Sequence, residues 1–153
     1  MKSNEPLPSE PLIPHRRRMK LIDWVRRPME NGLEAGATVS DQWPLIRDGS
    51  VSSIICVELA AQAIAALSTW RRGEGAKARL GLLVGIKEAE FSSSNVPIGT
   101  ELIIQVTEMY HVGEYAVFEG TVNSDSKLFC KMVIQVMEPE EEVLKELMSR
   151  QRI

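Results

Sequence analysis

Between residues 54 and 70 apolar side chains fall on every side of a helical projection, through Val57, Leu59, Ala60, Ala61, Ile64 and Leu67. That pattern predicts a helix enclosed by the core rather than one lying on the surface. Arg71 and Arg72 suit its negative C-terminal end, and Gly73 suits the position just past it. Beyond the helix the period changes to two. A long strand is expected over residues 78–91, followed by a turn over 95–99. Three further strands are marked by Leu102, Ile104 and Val106, by Tyr115, Val117 and Phe118, and by Leu128, Cys130, Met132, Ile134 and Val136. Residues 111–113 and 123–126 read as hairpin turns, which makes the second half an antiparallel meander.

Ahead of the helix the signals are weaker. Pro6, Pro8, Pro11 and Pro14 make residues 1–14 an extended arm. Residues 19–25 read as a strand and 33–40 as a second, weaker one. Residues 41–53 read as a loop holding Pro44 and Gly49, with Ser50, Ser52 or Ser53 available to cap the helix. At the other end, residues 138–153 carry Val143, Leu144, Leu147 and Met148 at helical spacing, a short amphipathic helix. The expected architecture is α+β, with one domain over 15–137 in which a long buried helix is wrapped by a curved antiparallel sheet. Such a sheet leaves open edges, so pairing with a second copy is expected.

Size and composition agree with this picture: 153 residues at 44% apolar content suffice for one core. The longest apolar run, 54–67, is interrupted by Glu58 and Gln62 and falls short of the roughly 20 residues a membrane span needs. The Pro/Glu/Ser-rich start lacks the pattern of a signal peptide, which points to the cytoplasm. Cys56 and Cys130 read as small core residues, without metal-ligand spacing. A net charge of −3 does not suggest nucleic-acid binding. The charge is unevenly spread, with basic clusters at Arg16, Arg17, Arg18, Lys20, Arg26 and Arg27 and again at Arg71, Arg72, Lys77 and Arg79. These are either a solvated surface or a dock for an acidic partner.

The chemistry centres on Glu58, a carboxylate inside the apolar helix. Burial penalises its charged form and is expected to raise its pKa, preparing a general acid. The same position suits a carboxylate whose head reaches water at a dimer seam. Gln62, one turn on, is placed to hold that carboxyl or a substrate oxygen. Only two histidines exist to partner the acid. His111 falls in a turn and reads as structural, whereas His15 stands just before the first strand, where a side chain can line a cleft. Asp23 and Asp48 have no visible base near them. There is no Gly-rich nucleotide loop and no G-x-S-x-G elbow, and Ser92, Ser93 and Ser94 read as loop.

Four segments, in order, resemble the β-hydroxyacyl-acyl-carrier-protein dehydratases of the hotdog superfamily. Pro14-His15-Arg16 with Met19 to Asp23 is similar to that family's P-H-R…L-L-V-D opening, and Val57 to Ala63 to its E-x-x-A-Q-A helix. Leu83 to Phe91 is similar to its F-A-G-I-D-x-A-R-F strand, and Val96 to Gly99 to its V-x-P-G-D turn. The likeness runs toward a divergent branch, similar to the dehydratase-like proteins of aryl-polyene and related polyketide gene sets. It implies a hotdog fold, a dimer with sites at its interface, and removal of water from a 3-hydroxyacyl thioester carried by acyl-carrier protein or coenzyme A. No cofactor is implied.

By motif Glu58 matches the family's acid. The family's histidine, from an H-F-P-G loop before the helix, has no counterpart in Trp43 to Asp48, and the usual Pro-Gly at the helix start is replaced by Ser52 and Ser53. Three readings follow. In the first, Glu58 is the acid and His15 has taken over as base, with Gln62, Gly49, Ser52 and Ser53 as substrate contacts. In the second, the chain is a silent acyl-carrier-binding subunit that pairs with another hotdog protein, as a homodimer or a heterodimer. In the third, it is a thioesterase.

Overall fold

A computed structural model describes residues 4–79 and 81–150. The strands in chain order are β1 (Leu7–Pro8), β2 (Trp24–Val25), β3 (Gly32–Thr38), β4 (Ile46–Arg47), β5 (Ser50–Ser52), β6 (Leu82–Phe91), β7 (Asn95–Pro97), β8 (Glu101–Val112), β9 (Tyr115–Asn123) and β10 (Leu128–Met137). Helix α1 (Ile55–Arg71) falls between β5 and β6, and α2 (Glu141–Arg150) follows β10. The main sheet is antiparallel, in the order β1-β2-β3-β8-β9-β10-β6, and β4, β5 and β7 form a second, small sheet.

Helix α1 packs on the inner face of the main sheet and is buried around nearly its whole circumference, with Ile55, Leu59, Ala60, Ala63, Ala66 and Leu67 all inside. Small side chains allow this close approach. At Gly120 of β9 an added Cβ would stand 3.4 Å from the Ala60 Cβ, so the glycine lets helix and sheet meet. From the sheet, Leu33, Ile104, Val106, Phe118, Met132 and Ile134 complete the core. The meander forms as expected, with its hairpin bends at Gly113–Glu114 and at Ser124 to Lys127, but its alternation is broken at the start of β10, where a bulge buries Phe129 beside Cys130 and leaves Leu128 exposed.

The segments before α1 differ from the expectation. The strand expected over 19–25 is reduced to Trp24–Val25, preceded by a 3₁₀ turn at Arg17–Met19. Leu21 and Ile22 are both buried, so the stretch does not alternate, and their N–H groups go to the Gln62 side chain instead of a strand. The supposed loop 41–53 contains the β4–β5 hairpin, closed by Asp48 and Gly49 at φ of 51° and 77°, the left-handed pair that a two-residue turn requires. No serine caps α1: Ile54 holds the cap position, and Cys56 and Val57 donate to the carbonyls of Ser53 and Ile54. The long strand after α1 begins at Leu82, later than expected. His111 lies within β8 rather than in a turn.

The arm is fastened to the sheet. Leu7 and Pro8 pair with Val25 and Trp24, the Ser9 hydroxyl donates to the Ile22 carbonyl, and Ile13 is fully buried. Its first three residues, and the tail beyond Arg150, lie outside the described residues. No helix among the described residues is long and apolar enough to cross a membrane.

Candidate active site

Glu58 sits in the first turn of α1 with its side chain 35% exposed, on a helix otherwise buried along this stretch. Its Oε1 lies 3.3 Å from Nε2 of His15, whose side chain is 18% exposed. The structure therefore brings together two residues far apart in sequence. The chain around His15 is pinned on both sides. Ile13 is buried in the core, and the Arg16 guanidinium donates to the carbonyls of Ile13 at 2.6 Å and His15 at 2.7 Å. Arg16, read from the sequence only as part of a basic cluster, thus shapes the turn that presents the histidine. A short-range bond to its neighbours' carbonyls leaves no sequence signal beyond the arginine itself.

Nε2 faces the carboxylate, while Nδ1 is buried with no hydrogen-bond partner among the described residues. Only Nε2 is thus turned toward the space beside Glu58. That space is a cavity of about 200 Å³, with Ala61, Ile64 and Ala65 of α1 on one side and Leu82, Leu83 and Val136 on the other. Its lining is apolar apart from His15, Glu58 and Glu138. Sequence reasoning did not identify Leu82, Leu83 and Glu138 as lining residues, because they reach the cavity only through the pairing of β6 with β10.

The charge state of Glu58 departs from the expectation. Burial does push its pKa up, and is the largest single influence. The hydrogen bonds from His15 and Gln62 and the charge of His15 together outweigh it, so the carboxyl ends below its ordinary value of 4.5. In the open site Glu58 is a carboxylate held by two donors.

Other candidates lie elsewhere. Gly49 is at the exposed tip of the β4–β5 hairpin, and Ser52 pairs with Asn95 across the small sheet. Ser53 is buried, its hydroxyl unpaired among the described residues, and lines a separate cavity of about 440 Å³ with Ile54 and Phe91. None of the three lines the His15–Glu58 cavity. Asp23 serves the fold, its carboxylate accepting the Thr38 N–H at 3.0 Å. His111 lies 3.4 Å from Glu108, which also pairs with Arg71, at the mouth of a third cavity.

Residues 7–149 match the ApeP-like family, described as ApeP dehydratase. The chain belongs to the ApeP-like dehydratase family. The ApeP-like chain is also similar in structure to the dehydratase heterocomplex ApeI:P from Xenorhabdus doucetiae, at 26% identity over 93% of this chain and 97% of that one, with a TM-score of 0.83. An uncharacterized protein from Pyrococcus horikoshii matches at 19% identity over 86% of this chain and 98% of its own, with a TM-score of 0.62. A thioesterase-like protein related to phenylacetic acid degradation, from Ralstonia eutropha, matches at 16% identity over 74% of this chain and 83% of its own, with a TM-score of 0.58. These last two show the fold alone. No curated protein matches the chain. The ApeP-like chain is a dehydratase-like hotdog protein, in which the histidine beside the helix carboxylate comes from the segment ahead of β2 and not from the loop before α1.

Proposed function

We propose that this protein is a 3-hydroxyacyl thioester dehydratase in which His15 is the base and Glu58 the acid. The 3.3 Å approach of His15 Nε2 to Glu58 Oε1, at the end of an apolar cavity, carries the reading. In the open site the hydrogen bonds from His15 and Gln62 favour the Glu58 carboxylate. A bound acyl chain displaces water from the cavity and strengthens the burial penalty, which favours the protonated form of Glu58 as the acid. His15 Nε2 then takes a C2 proton, Glu58 gives its proton to the 3-hydroxyl, water departs and the C2–C3 double bond forms. The step leaves the C2 proton on His15 and Glu58 ionised, and return of that proton from His15 to Glu58 restores the starting pair.

The substrate is an acyl chain on acyl-carrier protein or coenzyme A, and the exposed arginines Arg17 and Arg18 suit an acidic carrier or a pantetheine phosphate. Of the loop residues, Ser53 has an unpaired hydroxyl among the described residues, but it lines a different cavity, so no contact with the thioester is assigned to it. The match to a heterocomplex supports a hotdog partner, homologous or identical, for this chain. The partner edge is β6: it ends the main sheet, ten residues long, and exposes Leu83, Val84 and Ile86. A panel of 3-hydroxyacyl and 2-enoyl thioesters, assayed with the chain alone and with a co-expressed hotdog partner, tests the reading. Interconversion abolished by Glu58→Gln supports it. Absence of turnover in both settings leaves a silent binding subunit, and release of free thiol indicates a thioesterase.

A further inference from the structure

Gln62 is 0% exposed, yet its amide is fully engaged. Oε1 accepts the Leu21 N–H at 2.9 Å and the Ile22 N–H at 3.3 Å, while Nε2 donates to the Met19 carbonyl at 2.6 Å and to Glu58 Oε1 at 3.1 Å. A primary amide has two donors and two acceptor sites, so these four partners exhaust it. Nothing remains to bind substrate, and Gln62 does not line the cavity.

Three of the four bonds go to the backbone of residues 19–22, the stretch that leads away from His15. That stretch is not in the sheet, which the chain leaves after Pro8 and rejoins at Trp24. Upstream of His15, the Ser9 hydroxyl bonds to the Ile22 carbonyl, so the segment bearing the histidine closes on itself. Beside the packing of Glu10–Leu12 against the same helix, the Gln62 amide supplies the hydrogen bonds that tie residues 19–22 of this segment to α1, the helix that carries Glu58.

We propose that Gln62 is a positioning residue that sets the His15–Glu58 distance, fastening the 19–22 backbone to α1 while aiming the Glu58 carboxylate. Its catalytic meaning rests on the dehydratase reading, but the clamp itself does not. Removing the amide strands two N–H groups and a carbonyl inside the core. The segment then shifts to find water and carries His15 with it.

A double-variant cycle tests the clamp through the Glu58 carboxyl, followed by carbon-detected NMR titration. His15→Ala and Gln62→Leu are each expected to raise the Glu58 midpoint. If Gln62 also places His15, the double variant rises no further than the larger single shift, because Gln62→Leu has already disengaged the histidine. Additive shifts would mean that Gln62 is only a local donor to Glu58 and would overturn the proposal. Should Gln62→Leu not fold, the unbranched Gln62→Met carries the same cycle. With crotonyl-coenzyme A as probe, Gln62→Leu is expected to lower kcat about 100-fold with KM unchanged, the signature of lost positioning. A wild type without turnover, alone and with its hotdog partner, but with the sub-additive shifts would refute the dehydratase reading and leave the clamp standing.

Discussion

Glu58 shows how two opposing effects settle one charge. Burial works against its carboxylate, and two hydrogen bonds with the His15 charge work for it and win. A folded-state pKa below the unfolded value means that Glu58 contributes stability above about pH 4.5 and loses it as pH falls through the lowered pKa. Thermal denaturation is therefore expected to drop more steeply with acidification in the wild type than in Glu58→Gln, over the range below pH 4.5. Parallel curves would show that the carboxylate gains nothing from its donors. Ser53 offers a second residue-scale check. Its buried hydroxyl has no partner among the described residues, so Ser53→Ala is expected to raise stability by about 1 kcal/mol in the absence of substrate, measured by chemical denaturation. A loss of stability would reveal a partner for that hydroxyl.

At the scale of elements, α1 and the meander β8–β10 were legible because their side chains keep one period over most of their length, bulges near Glu108 and Leu128 aside. The region before α1 was not. Leu21 and Ile22 both point inward, with Gln62 taking the backbone bonds that a strand partner would have supplied. In the β4–β5 hairpin the Asp48-Gly49 signal was present, but strands of two and three residues are too short to show alternation. The pair at the candidate site was only half legible: Glu58 stands out on an apolar helix, whereas the contact with His15 depends on how the arm packs. Two substitutions probe these elements. Gly36→Ala in β3 would place a Cβ 2.0 Å from the Trp24 ring, so β2 must move. A loss of about 1–3 kcal/mol is expected by thermal or chemical denaturation. Ala65→Leu narrows the His15–Glu58 cavity without touching either residue's partners. It is expected to raise KM for longer acyl chains while sparing short ones, and an equal effect on all lengths would place the chain elsewhere.

For the whole molecule, the exposed edge of β6 and the cavity beside it belong together, because Leu82 and Leu83 both begin that strand and line that cavity. On the proposed reading, association along β6 bears on catalysis as well as on size. Ile86→Lys at this edge is expected to convert a two-subunit particle to single chains in light scattering, and an unchanged mass would exclude β6 as the interface. The measurement closest to the central claim is turnover of a 3-hydroxyacyl or 2-enoyl thioester by the wild type, His15→Ala and Glu58→Gln, each with its hotdog partner present and its fold checked. The account predicts that each substitution lowers kcat by about 100-fold or more, and that the pair of substitutions costs little beyond either one. Full activity in His15→Ala would contradict it.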